Sequence, residues 1–600
     1  MKFFHHLRTF FADRPTLTII LFGLLLSLPL LLWGFPLQSH DGLVHPNWMR
    51  YFSEQFWRGE LYPRWLTGIN GYLGSPAFFN YAPFPYYVGS FIAPLIPGDP
   101  YKLYTLGITC ALLLTGSGLA CFLWLKQVAP SRGAALIGSL FYMVAPYHVA
   151  IDLYTRGAVA EFAAFLWLPL VLYGVHLSSA SDTKRWYGLL CVAFAFCGLL
   201  LTHIPTSLYF SIIPLLYALT LRERSLLHPF PLTTVGMVLG GGLGMFYWLP
   251  AIKHQEFIHS ELQQIASLRY NNNWIDFTST FAGGYVADLF WIAVSLTLIA
   301  AVSFGILLRS EVRRRVVAFW GLLALFALVM ATPLSNLIWQ ILSPLQRIQF
   351  PYRFLLLLTL ATVALFALVL PRICQISRPA YWVLLFLTFG GGTFFTLSSL
   401  YTTFSPDSAY YQARYARHEW RIKFGLGALE YIPRWVGRVN REEDKVLVPL
   451  VREIGGKPYQ STIVTGDGDV VIREENSRRL LVQTNSSTQL TVVVHQFYYH
   501  GWESVDDPDV RMQPTENIGL MRLLVPSGKR TFTLEMKPTT EEQVGNIVSG
   551  TLLVLLSGFF LFQIFRSRRS TPYVRGSVER SEMREPDYSQ ANEPDSDYGN

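Results

Sequence analysis

Apolar runs of about 17 to 25 residues recur along almost the whole chain, and no other feature restricts its fold so severely. They fall at about 15–35, 101–125, 133–150, 159–179, 186–203, 205–221, 231–250, 286–308, 315–332, 353–371, 380–400 and 546–565. Runs of that length match the hydrocarbon thickness of a bilayer, and lipid cannot satisfy free backbone groups, so each run must be helical. The composition agrees: 51% of the residues are hydrophobic and 15% charged, whereas soluble domains carry about 25% charged residues. The expected fold is a polytopic α-helical membrane protein with about twelve transmembrane helices.

Basic residues set the orientation. With the N-terminus inside, the loops assigned to the cytoplasm hold Lys126 and Arg132, Lys184 and Arg185, Arg222 and Arg224, Arg309 with Arg313 to Arg315, and Arg372 and Arg378. The two ends add Lys2, Arg8 and Arg14, and Arg566, Arg568 and Arg569. Every such loop is basic, as the positive-inside rule requires. Both termini are then cytoplasmic, in a bacterial plasma (inner) membrane. One run, 83–97, is short and interrupted by proline, and is read as a re-entrant or juxtamembrane piece.

The layout is a cytoplasmic N-terminus over 1–14 and a membrane domain over 15–400 with a first extracytoplasmic loop at 36–100. An extracytoplasmic, mostly β domain follows over 401–545, then a last helix at 546–565 and a disordered tail at 566–600. The β reading rests on alternating runs at Lys445–Val451, Val470–Arg473, Leu480–Gln483, Gln489–His495 and Arg530–Met536, separated by turns rich in Gly, Asp, Asn and Ser. Such a pattern suits a small β-sandwich.

Several function classes drop out. The net charge of +8 sits between apolar runs, where it orients helices rather than binding nucleic acid. The five cysteines lie in or beside apolar runs, with no zinc or disulfide spacing. No P-loop, dinucleotide fingerprint or HExxH helix is present, which argues against chemistry driven directly by ATP or NAD.

The polar residues of interest share one side of the expected membrane. His40-Asp41-Gly42-Leu43-Val44-His45-Pro46 follows the first run, and Trp48, Met49, Phe52 and Phe56 then mark one face of an amphipathic interfacial helix. Asp41 is either a turn residue or a carboxylate base at the water–lipid boundary. Asp152 and Arg156 are four apart, the spacing of a helical ion pair. Glu161 opens a run, where an ionisable group is costly unless paired or hydrated. His203, Trp248, His254 and Gln349 lie at the outer ends of later runs and serve equally well as interfacial anchors. Arg353 is an outward cation against the topological bias, and a guanidinium there suits a phosphate.

The first-loop acidic residue, the Tyr81-Ala82-Pro83-Phe84-Pro85-Tyr86-Tyr87 stretch and the acidic group after the third run resemble polytopic glycosyltransferases of the GT-C fold. Four stretches are similar to a bacterial membrane family labelled "6-pyruvoyl-tetrahydropterin synthase-related". They are Asp152–Glu161, Tyr247-Trp248-Leu249-Pro250, Ile348–Arg353 and Tyr499-His500-Gly501-Trp502. The chain is also similar to related membrane proteins thought to glycosylate teichoic acids.

These resemblances imply sugar transfer from a polyprenyl-phosphate donor to a glycan or lipid acceptor of the cell envelope. Asp41 takes the position of the base, Asp152 that of the residue positioning acceptor or metal, and Arg353 that of the phosphate grip, with Arg156 in reserve. Asp152 stands alone rather than in an Asp-x-Asp pair, so any divalent cation (Mg or Mn) would rest on Asp41 and Asp152. Trp502, with Tyr498 and Tyr499, is available to stack on sugar or else belongs to the core of the sandwich. A polar-lipid flippase and a non-catalytic envelope assembly protein are the competing readings.

Overall fold

The computed structural model describes residues 13–180, 184–221, 229–309, 314–405, 425–437 and 447–569. Of the tail expected to be disordered, 566–600, residues 566–569 continue the last helix and the rest lie outside the described residues.

All twelve apolar runs are helical, but they are not equal in length. Among the described residues, eight helices are long and apolar enough to cross a membrane. Pro229–Leu243 and Met245–Phe257, bent by 63°, make a ninth if they count as one broken span. The remaining three runs are shorter. Ser27 separates Pro15–Leu26 from Leu28–Trp33, Lys184–Leu200 has 17 residues, and Ser211 divides Ile204–Phe210 from Ile212–Thr220. The described helices therefore fix eight or nine crossings, and twelve is not established.

The helix Leu355–Ile376 is buried on every face through Leu370 and forms the centre of the bundle. Apolar residues all round a helix are what such a central position requires. Peripheral helices leave wide apolar faces uncovered, as at Phe386, Leu387 and Phe394 in Arg378–Phe404.

The first loop adds detail to one expectation and changes another. The 83–97 run forms a short helix, Phe84–Ile92, with Pro83 before it. The helix Val44–Trp57 does not rest on an open interface. It buries Trp48, Met49 and Phe52 on one side, and also His45, Asn47, Ser53 and Gln55 elsewhere. Its polar side is roofed by chain: Asn47 Nδ2 donates to the Leu426 carbonyl at 3.4 Å and Gln55 Nε2 to that of Trp65 at 2.8 Å.

The C-terminal β region is a sandwich of two four-stranded antiparallel sheets. Its strands are β1 (Ser461–Thr465), β2 (Gly468–Asn476), β3 (Arg479–Ser486), β4 (Leu490–Phe497), β5 (Trp502–Ser504), β6 (Arg511–Pro514), β7 (Leu520–Val525) and β8 (Gly528–Met536). Their orders are β1-β4-β7-β6 and β2-β3-β8-β5. Alternate residues enter the core, such as Leu480 and Val482 of β3 and Leu490, Val492 and Val494 of β4. Four of the five expected strand runs lie in β2, β3, β4 and β8. The fifth does not: Leu447–Ile454 is a helix, and Pro449 within it could not have donated to a central ladder. The final helix, Thr540–Arg569, leaves the sandwich and packs on the bent pair, where Ser549 Oγ donates to the Gly242 carbonyl at 2.9 Å.

Candidate functional site: a polar cavity at one end of the bundle

Successive helix connections at one end of the bundle converge on a cavity of about 570 Å³. The segment after the first two helices is stitched to the 155–156 turn, with His40 N–H donating to the Thr155 carbonyl at 3.1 Å and Asp41 N–H to that of Arg156 at 2.9 Å. Before that turn the chain winds wide, so that Arg156 N–H bonds to Ile151, five residues back, at 2.8 Å. Gly157 then takes a left-handed conformation with φ +62°, and a Cβ there would lie 2.2 Å from Ser39 Oγ. Only glycine lets the first loop approach this closely.

The wide turn and its neighbours assemble a buried ionic cluster. Arg156 Nη1 donates to Asp152 Oδ1 at 2.6 Å and to Glu161 Oε2 at 2.8 Å. Arg353 Nε donates to the same Glu161 oxygen at 2.9 Å, and its Nη1 to the Ile348 carbonyl at 2.6 Å. The Tyr147 hydroxyl donates to Glu161 Oε1 at 2.7 Å. Two carboxylates thus balance two guanidinium groups, as burial of charge demands. Phe350 lies under both cations, 4.9 Å from the Arg353 guanidinium carbon and 5.8 Å from that of Arg156, and stacks on Tyr352 at 5.1 Å.

These engagements leave particular atoms free. Among the described residues, Arg156 Nε and Nη2 and Arg353 Nη2 have no hydrogen-bond acceptor. Both residues line the cavity. Asp41 also lines it, and no described donor bonds to its carboxylate. His203 is held by its Nδ1 against Thr206 Oγ1 at 2.7 Å, and Gln349 by its Nε2 against the Gln263 carbonyl at 2.9 Å. Gln349 has φ +67°, a conformation that is costly for a residue with a side chain and tends to occur where surrounding structure enforces it.

Of the candidate residues, Asp41, Arg156, Glu161, His203, Gln349 and Arg353 line this cavity. The other five lie elsewhere. Asp152 is fully buried behind Arg156 and does not line the cavity. His45 is enclosed among Trp48, Tyr81 and Tyr86, with Nδ1 2.6 Å from the Tyr86 hydroxyl. Burial lowers its pKa to about 4 against the opposing pull of Asp41, so it is neutral at physiological pH. Trp248 turns away and donates to the Gly241 carbonyl at 2.8 Å. His254 stacks on Phe79 and meets the Tyr499 hydroxyl at 2.8 Å. Trp502 is buried in the sandwich, as is Tyr499, so neither is placed to stack on a sugar.

Asp152 is sealed behind Arg156, and among the described residues no three His, Cys, Asp or Glu converge. Residues that sequence reasoning did not single out also line the cavity, among them Asn80, Tyr81, Gln255, Glu261, Phe350 and Tyr431. Phe350 sat inside a motif already singled out, whereas Tyr431 is brought in by a strap, 425–437, that only long-range folding places there.

A helical bundle whose connections close over one polar cavity, with a β-sandwich beside it, defines a multi-pass membrane protein. More narrowly, residues 80–415, over half of the chain, match the family described as "Bacterial membrane protein YfhO", and the chain belongs to that family. The cavity motifs at 152–161 and 348–353 lie within the matched segment, while Asp41 precedes it. No curated protein matches the chain.

Proposed function

We propose that this protein is a GT-C-type glycosyltransferase that moves a sugar from a polyprenyl-phosphate donor to a glycan or lipid acceptor on the extracytoplasmic side of the bacterial membrane. One observation carries the reading: Asp41, a carboxylate without a described donor, shares a cavity with the unengaged edges of Arg156 and Arg353.

In this scheme Asp41 accepts the proton of the acceptor hydroxyl as that oxygen bonds to the anomeric carbon. The bond from that carbon to the phosphate oxygen breaks, and its electron pair leaves with the polyprenyl phosphate. Arg156 and Arg353 stabilise the developing negative charge, which preorganised donors do best where water is excluded. Glu161 does not act as acid or base here, since Tyr147, Arg156 and Arg353 occupy its oxygens. It positions the two guanidinium groups, with Asp152 as second anchor. No step passes through a metal.

The test is sugar transfer from polyprenyl-phosphate donors in membranes, comparing wild type with Asp41→Asn at matched expression. Loss of a general base should lower transfer by roughly 10²- to 10⁴-fold. Equal transfer by both proteins would remove Asp41 from the mechanism. Lipid translocation without any transfer would favour the flippase reading instead.

A further inference from the structure

Two connections outside the candidate spans expose apolar side chains to an extent unusual for loops in water. One holds Phe277 and Phe281, just before the span Gly284–Leu308, and the other is 333–342, just after the span Arg314–Ala331. Phe281 is 79% exposed, Leu334 82%, Leu337 66% and Ile341 70%. No charge offsets them: the sequence has no Asp, Glu, Lys or Arg between Asp276 and Asp288, or between Arg315 and Arg347. Exposed apolar surface gathered in this way marks contact with a partner or a membrane.

The fold presents these side chains rather than hiding them. In the short helix Asn336–Ile341, Trp339 turns inward, where its ring stacks on Tyr270 at 5.3 Å and meets Phe354, the neighbour of Arg353, at 6.0 Å. Leu337, Ile338 and Ile341 are left outside, with Gln340 the exposed polar side chain of that helix. Phe281 meets Phe277 edge-on at 5.6 Å, and Phe277 meets Phe290 of the span in the same way at 6.2 Å. Aromatic surface therefore runs from the loop onto the span, where Trp291 and Leu298 are also exposed. An apolar groove of about 410 Å³ lies between, lined by Phe277 and Pro333 of the connections and by Leu298 and Leu328 of the two spans. Asp276, the charged residue in that lining, accepts from the Ser279 amide at 3.0 Å. A peptide laid in this groove would find few hydrogen-bond partners, whereas acyl chains need none.

We propose that 277–281 and 333–342 form a docking surface immersed in the membrane leaflet at the cavity's end of the bundle, continuous with the lipid-facing sides of the spans. Interfacial segments of this kind bury their apolar face at the boundary between head groups and acyl chains. Arg347, the first charge after this surface, already lines the cavity, so the leaflet boundary falls at the cavity's edge. The surface does not depend on the transferase reading.

Spin labels at Phe281→Cys, Leu337→Cys and Ile341→Cys test it, each in full-length Cys374→Ser protein, since Cys374 is the exposed native cysteine. The protein is held in phosphatidylcholine nanodiscs, and collision rates are read with oxygen, which partitions into lipid, and with a water-soluble nickel chelate. Leu322→Cys on a span and Asp469→Cys on the sandwich, both at exposed positions, are the lipid and water references. All three loop labels should show the oxygen-rich, nickel-poor rates of Leu322→Cys, at unchanged melting temperatures. Rates matching Asp469→Cys would place these side chains in water and overturn the docking surface. Low rates with both reagents would mean that protein covers them, which overturns it equally. No sugar donor enters the measurement, so its failure would leave the transferase reading intact.

Discussion

Phe350 illustrates how much of the cavity's chemistry depends on a side chain with no polar atom. Its ring faces both guanidinium groups and is itself stacked on Tyr352. It denies water to one face of each cation and holds their planes, leaving the free edges directed at the cavity. A desolvated cation–π contact contributes about 2 kcal/mol, or roughly 30-fold in affinity. Phe350→Leu should therefore weaken binding of geranylgeranyl phosphate to the nanodisc-embedded protein by that order, leave geranylgeraniol unchanged, and be rescued by Phe350→Tyr. Equal losses for phosphate and alcohol would instead make Phe350 a packing residue for the isoprenoid.

His45 carries a different consequence. Its folded pKa of about 4 lies below the ordinary 6.5, so the unfolded chain takes up the proton first. Its contribution is present above pH 6.5, is lost as pH falls toward 4, and amounts to about 3 kcal/mol across that window. His45→Phe should be less stable at neutral pH, because the Tyr86 hydroxyl loses its partner, yet show a flatter stability between pH 6.5 and 4. Denaturation midpoints across this range decide the matter, and parallel curves for the two proteins would contradict it.

At the scale of elements, the apolar runs were legible because lipid thickness sets their length. How many of them cross was less so, because breaks at Ser27 and Ser211 and the 63° bend after Leu243 leave no gap in hydrophobicity. In the sandwich, β3, β4 and β8 announced themselves by alternation, while the short β5 and β6 offered too few residues for a period. The pair Asp152 and Arg156 was readable from its spacing, and Glu161 from the cost of charge at a helix start. Which face a residue presents was not. Tyr247, Ala251 and Gln255 line the cavity at intervals of four, whereas Trp248, one position on, is rotated by about 100° and leaves it. His254 and Trp502 owe their positions to contacts between distant segments, and no local pattern records those.

At the scale of the molecule, the sandwich is held over the bundle by a second buried ionic junction, distinct from the cavity. Glu542, at the start of the last helix, is 2% exposed and accepts from Arg478 Nη1 at 2.9 Å and Nη2 at 3.3 Å. It also lies 3.4 Å from Arg64 Nε of the first loop, and Arg64 Nη2 donates to the Phe246 carbonyl at 2.8 Å. Close by, Glu60 accepts from the Ser477 amide at 2.7 Å and its hydroxyl at 2.6 Å. First loop, bent helix pair, sandwich and final helix thus meet within one set of charges. The strap bearing Tyr431 is tied to the same bodies, through Asn70 N–H on the Gly425 carbonyl at 3.0 Å and Gly437 N–H on that of Asn517 at 2.7 Å. Glu542→Gln would leave the buried Arg64 and the partly exposed Arg478 guanidinium facing one neutral amide. Breaking a buried pair in this way costs about 3 to 5 kcal/mol, whereas Glu503→Gln, which removes the exposed partner of Lys537, should leave the melt nearly unchanged, because solvent screens that pair. The difference should appear as a lower melting temperature for Glu542→Gln alone, with limited proteolysis cutting first in the sandwich while the helical bundle stays intact. Simultaneous loss of both parts would mean that the junction supports the whole bundle, and an unchanged melt would mean that apolar packing of Trp65, Phe79 and Tyr499 suffices to dock the sandwich without the charges.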